Sequence, residues 1–288
     1  MDAELRRPLW TAERITAEIS TGEIGRNMSD DARRELAEIE GLPAKVACAL
    51  QHPKPLEIVM PVFNAVLAAQ YFELFEALNL PRELSVYEPC VGASNPVILA
   101  AEAHSHGRSN YLTINLNTKL RAQLQDKIAH HTSTIRIIED HAQCALEHVP
   151  EKSVDVACFH HAVNDILQTA VSEPRGMDTT AVDWFPTERT MIEWLAEDVR
   201  VGCLEQRGKP ELMSVISDAV RLVKPGGYLI FDHFNWVKFI GVEWFPWDLF
   251  YHFIPMTLGW ILESGLPVEE VSLPDVDPQW WLVLRVKN

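Results

Sequence analysis

"YEPCVGASNP", residues 87–96, is the stretch on which the reading of the chain turns. An apolar run ends at Glu88, a tight turn follows with Gly92 as its one glycine, and Asn95-Pro96 opens a helix. Asn is a favoured N-cap, and Pro a favoured first helical residue because its missing N–H would be unbonded there anyway. Free helix-end amides and a glycine that lets the backbone come close are what an anion or cofactor needs. A strand, a turn and a helix in this order are as common without a ligand as with one, so the surrounding sequence decides.

Outward from this stretch the chain alternates. Strand character at 84–88, 110–115, 134–139, 154–159 and 227–233 is interleaved with helical segments at 95–106, 117–130, 142–148, 161–170 and 209–223. Such alternation implies right-handed crossovers and a parallel sheet covered by helices on both faces. "LPVEEVSLPDVDPQWWLVLRVKN" at 266–288 holds two extended runs around a Pro/Asp turn, as in a terminal antiparallel hairpin. The expected fold class is therefore α/β: a doubly wound, mostly parallel seven-stranded sheet with a C-terminal antiparallel hairpin.

Residues 1–80 read differently, as a helical N-terminal cap before a Rossmann-like domain over 81–288. Ser29 is an N-cap for "DARRELAEIE", and the apolar segment 59–79 is a long helix whose Tyr71, Phe72 and Phe75 read as core rather than pocket. Two insertions interrupt the alternation, at about 171–208 and 234–262. The first carries "TERTMIEWLAEDVRVGCLEQ" as a further helix, and the second is rich in aromatics, among them Trp236, Phe239, Trp244, Phe245, Trp247 and Tyr251. Insertions after the fourth and fifth strands lie at the carboxyl ends, where open α/β sheets place their ligands. At least one or two of these rings are expected to reach a substrate, although core packing or a homodimer interface would use them as well.

Composition narrows the partners. With 41 acidic against 25 basic residues the net charge is −16, and no Lys/Arg-rich run exists, so nucleic acid and anionic membrane are disfavoured. The five cysteines are scattered without a CxxC pair and read as buried free thiols of a reducing compartment. Arg6 and Arg7 are not followed by an apolar run, and no apolar stretch reaches the ~18 residues of a membrane span. A cytoplasmic protein with a small-molecule partner is expected.

The order of pieces resembles the class I S-adenosylmethionine-dependent methyltransferases, over about 84–288. That family opens with (D/E)xGxGxG; here the matching positions are Glu88, Cys90, Gly92 and Ser94, so small residues replace two of the three glycines. Its second strand ends in an acid that holds the ribose hydroxyls, a position matched by Asn115 in "NYLTINLN". "IIEDHAQCALEHVPEKSVDV" is similar to the family's "GDAxxLPFxxxSFDV", which puts Asp140, with His141 beside it, where the adenine amino group is bound. "AVRLVKPGGYLIFDHF" is close to the family's approach to its fifth strand, with Lys224-Pro225-Gly226-Gly227 as a helix stop and turn. Outside the resemblance Asp140 has a lesser alternative as a helix cap, and Asn115 reads equally as a turn residue.

What the resemblance implies is S-adenosyl-L-methionine as cofactor, held by Glu88, Cys90, Gly92, Ser94, Asn95, Asn115, Asp140, His141 and His160. Catalytic groups are sought in "CFHHAVNDI" at 158–166 and at the end of the fifth strand, which gives His161, His233 and Asp165, with His161 or His233 as a base. A metal ion held by His160, His161, Asp165 and His233 is set aside, because adjacent histidines on a strand point to opposite faces. No (D/N)PP(Y/F/W) motif follows the fourth strand, which argues against nucleic-acid methylation. The expected activity is O- or N-methylation of a small, mostly apolar or aromatic metabolite. The alternatives are a methyltransferase fold that binds the cofactor without methylating, and an interaction protein built on exposed aromatics.

Overall fold

Seven strands make one sheet: β1 (Ser85–Pro89), β2 (Asn110–Ile114), β3 (Thr134–Ile138), β4 (Val154–His160), β5 (Val223–Asp232), β6 (Val268–Glu270) and β7 (Trp281–Val286). Their order is β3-β2-β1-β4-β5-β7-β6. The first five run parallel, and β7 lies antiparallel to both β5 and β6. The computed structural model describes residues 7–50, 60–233, 242–274 and 276–288.

The chain winds outward from β1 through β2 to β3, then returns to lay β4 on the other side of β1. The switch point therefore falls between β1 and β4, and a crevice opens there at the carboxyl ends of the strands. Central strands read as nearly continuous apolar runs because helices cover both faces, and β1 and β4 are buried along most of their length. Those helices are α6 (Pro96–Ser105), α7 (Thr118–Ile128), α8 (Ala145–His148), α9 (Ala162–Ser172), α10 (Trp184–Arg200), α11 (Leu204–Leu222) and α12 (Trp247–Ser264).

Among the described residues five helices precede the sheet: α1 (Ala12–Ser20), α2 (Glu23–Asn27), α3 (Asp30–Ala37), α4 (Leu42–Ala49) and α5 (Met60–Ala77). Ser29 caps α3 by accepting from the Ala32 amide. α5 is apolar around its circumference and shares one hydrophobic core with the sheet, with Tyr71, Phe72 and Phe75 all buried. Among the described residues no helix is long and apolar enough to cross a membrane.

Two local expectations are corrected. Lys224-Pro225-Gly226-Gly227 is not a turn ahead of a strand but a bulge inside β5, whose pairing jumps from Val154–Val223 to Val156–Tyr228. The glycines make this possible: Gly226 has φ +80°, and a Cβ on Gly227 would stand 2.5 Å from the Asp155 carbonyl. "TERTMIEWLAEDVRVGCLEQ" is likewise not one helix, since α10 ends at Arg200 and Gly202, at φ +73°, turns the chain into α11.

Candidate active site

The turn after β1 bends as a glycine-rich loop does, with fewer glycines. Cys90 (φ +55°) and Gly92 (φ +60°) both occupy the left-handed region, which costs a non-glycine residue about 1 kcal/mol. Pro96 is the first residue of α6, but the Asn95 side chain makes no capping bond. The free space around Gly92 is wide, since a Cβ there would meet nothing nearer than Leu120 Cδ1 at 3.9 Å. Asn115, at the end of β2, donates from Nδ2 to the Gly92 carbonyl at 2.6 Å and so ties the turn to its neighbouring strand.

Above these ends lies a cavity of about 570 Å³, lined by Cys90, Gly92, Asn115, Asp140 and His141 together with Asp165 of α9. Its charged lining is mostly acidic: Asp140, Asp165, Glu173 and Glu211 face one cation, Arg207, which already donates to Asp198 at 2.7 Å. Asp140 accepts from the His141 amide at 2.8 Å and contacts His148 Nε2 at 2.7 Å, and those bonds hold its carboxyl below the usual range. A second cavity of about 240 Å³ adjoins the first. Cys90, Gly92, Leu120, Asp165 and Trp184 line both, while Ser94, His160 and His161 line only the second.

The first insertion walls both spaces. Asn117 is buried between α7 and that segment: its Oδ1 accepts from the Lys119 and Leu120 amides, and its Nδ2 donates to the Thr179 and Val182 carbonyls at 2.9 Å. Trp184 is thereby held over the cavities, with Phe185 and Met60 exposed at the mouth of the second.

Beneath the second cavity five polar side chains converge. His160 Nδ1 stands 2.9 and 3.1 Å from the two Asp232 oxygens, and its Nε2 lies 3.5 Å from Ser94 Oγ. The Tyr71 hydroxyl, from α5, donates to Asp232 Oδ2. His161 Nε2 lies 4.0 Å from Asp232 Oδ1. Burial would raise the carboxyl of fully buried Asp232, but His160, His161 and Tyr71 hold it below the ordinary range. Burial alone would lower the His160 imidazole, and Asp232 holds it above its ordinary value.

The assumption that neighbouring histidines face opposite ways fails here for a stated reason. His161 is not on the strand: it follows β4 at φ +55°, its amide bonded to the Asp232 carbonyl at 3.2 Å, and this turn swings its ring to the side of His160. The ring centroids are 4.8 Å apart.

Other expected site residues are placed elsewhere. Glu88 lines neither cavity; it is sealed under the turn, where the Tyr111 hydroxyl donates to Oε2 and Oε1 has no hydrogen-bond partner among the described residues. Burial pushes its carboxyl up to about 8, against the pull of His160 and Tyr111. His233 also lines neither cavity, its ring stacked on Phe250 and met edge-on by Phe253. Asn95 lines neither.

Of the second insertion's rings, Trp244, Phe245, Trp247 and Tyr251 reach neither cavity. They pack on one another, on Arg189 and on Trp280, and Trp236 and Phe239 lie outside the described residues. Asp232, Tyr71, Asn117 and Trp184 were not picked out as site residues. Asp232 alone carried a signal, standing beside His233 at the strand end; Tyr71 carried none inside its apolar helix.

No family model matches the chain, and no curated protein matches it. Solved structures are similar in architecture. One is the CurJ carbon methyltransferase, at 12% identity and TM-score 0.44 over 96% of this chain and 71% of that one. Another is an O-methyltransferase family protein from Burkholderia thailandensis, at 14% identity and TM-score 0.41 over 92% and 71%. A third is an arsenic(III) S-adenosylmethionine methyltransferase from Chlamydomonas reinhardtii, at 11% identity and TM-score 0.36; the match covers 72% of this chain and 64% of that protein. The architecture is a Rossmann-like methyltransferase fold. Its marks are the strand order and the antiparallel last strand.

Proposed function

We propose that the chain is an S-adenosylmethionine-dependent methyltransferase acting through oxygen or nitrogen on a small, mostly apolar or aromatic metabolite. The observation that carries this reading is the pair of adjoining cavities at the β1/β4 switch point, a larger acidic one and a smaller one with histidines at its floor. The donor set fits the cofactor. Its sulfonium and amino groups are cationic and suit Asp140, Asp165, Glu173 and Glu211, whereas a dinucleotide's pyrophosphate would face those carboxylates without a free cation. Gly92 leaves the backbone of the turn open to close approach.

When bound, the cofactor supplies a methyl group already activated by the positive sulfur. The protein's own part is to position and dry the acceptor. Trp184, Phe185 and Met60 supply an apolar entrance that favours an apolar or aromatic body. Ser94, His160 and His161 offer hydrogen-bonding groups at the inner end, where a hydroxyl or amine is oriented beside Asp165, the residue common to both spaces. Calorimetric titration with S-adenosylmethionine and its demethylated product tests the reading: micromolar binding of both is expected, and no heat from either at high micromolar concentration sinks it.

A second reading keeps the cofactor but not the transfer. Cys90, Ser94 and Asn115 stand where the family has two glycines and an acid, and the Asn115 amide is spent on the Gly92 carbonyl. Radiolabelled methyl donor offered with phenol, alcohol and amine panels separates the two, since bound cofactor without label transfer favours this one.

A further inference from the structure

We propose that His160, His161 and Asp232 form a binding site for one divalent transition-metal ion, with its open coordination positions toward the second cavity. Their ligand atoms all lie within 4.8 Å of one another. Ligand atoms about 2.1 Å from an ion sit about 3 Å apart in neighbouring positions. His160 Nδ1 and Asp232 Oδ1 already meet that spacing at 3.1 Å. His161 Nε2 lies 4.0 Å from the same oxygen and within 4.8 Å of the His160 ligand atom, so it needs to close by about 1–2 Å, and its ring lines the cavity.

Three further features separate this cluster from an ordinary buried His–Asp pair. A pair needs one imidazole, whereas here the left-handed turn at His161 brings a second to the same carboxylate. Asp232 Oδ2 accepts from Tyr71 and lies 2.9 Å from His160 Nδ1, while Oδ1, 3.1 Å from His160 Nδ1 and 4.0 Å from His161 Nε2, is the oxygen that stands between the two imidazoles. The far nitrogen of His160 faces Ser94 Oγ at 3.5 Å, so the outer partners that orient a metal-bound imidazole and carboxylate are in place on both. Access is through the cavity of about 240 Å³ that His160 and His161 line.

Two imidazoles and one carboxylate suit zinc, iron(II), cobalt(II) or manganese(II) rather than calcium, which takes oxygen ligands alone. Binding of the ion does not depend on methyl transfer. Its use does rest on that reading: open positions at this place take an oxygen-bearing acceptor, a hydroxyl or carboxylate, and hold it beside the donor cavity.

The test is cobalt(II) titration of the full chain after treatment with a chelator, followed by visible absorption and calorimetry with no cofactor present. The wild type is expected to take up one equivalent and develop ligand-field bands. His161→Ala is expected to bind about tenfold more weakly or worse, Asp232→Asn to lose the bands, and His252→Ala, at an exposed histidine, to bind as the wild type does. Thermal melting of each variant checks that it is folded, and His161→Ala carries the test if Asp232→Asn is not. The site is overturned if the wild type shows no saturable cobalt or zinc binding, or if folded His161→Ala binds as tightly as the wild type. Failure of cofactor binding in the separate titration would leave this result untouched.

Discussion

The Tyr71 hydroxyl donates to the Asp232 carboxylate across 161 residues of chain, and the same carboxylate pairs with His160. This bond ties α5 to the end of β5 at the floor of the second cavity, so the N-terminal helices take part in the site. Tyr71→Phe keeps the ring packing and removes one donor to a buried charge. Unfolding in denaturant should show a loss of about 1.5–3 kcal/mol, because hydrogen bonds to charged groups lie in that range.

Glu88 gives the molecule a pH signature. Its folded-state carboxyl stands at about 8 against an ordinary 4.5, so the folded protein holds a proton that the unfolded chain releases. The stabilising contribution is complete below pH 4.5 and is lost as pH rises toward about 8. Glu88→Gln mimics the protonated acid and lacks this dependence. Melting curves across the window should show the variant gaining on the wild type by up to about 1.4 kcal/mol per pH unit, and parallel curves would refute the assignment.

Placing at residue 115 the acid that the class I methyltransferases carry there should not help. The Asn115 amide nitrogen holds the Gly92 carbonyl, and an aspartate would set two acceptors against each other. Asn115→Asp is expected to cost about 1–3 kcal/mol in stability and to leave cofactor affinity no better than wild type, read by calorimetry.

Asn117 holds the wall. It caps α7 and bonds two carbonyls of the insertion, so Asn117→Ala removes a cap and strands buried polar groups. A loss of about 1–3 kcal/mol is expected, with faster proteolysis in the segment around Thr179 and Val182 as the distinguishing readout.

By itself the sequence determined the strands, the helices between them, the terminal hairpin and the turn after the first strand. Those features follow from local causes: apolar runs of strand length, Asn-Pro at a helix start, and glycine where the chain must turn left-handed. It also marked nine of the residues that line the two cavities, because ligands collect at strand ends and strand ends are visible as breaks in hydrophobic runs. Tertiary structure decided which polar groups meet. Tyr71 looks like core until packing brings Asp232 to its hydroxyl, and Glu88 looks like a ligand until Tyr111 and the turn seal it in. His161 faces its neighbour's side only because the chain leaves β4 at a left-handed residue, and the described aromatics of the second insertion turn to one another rather than to the cavity. Backbone periodicity is written in neighbouring residues, but the partner of a buried charge is chosen by packing between elements far apart in the chain.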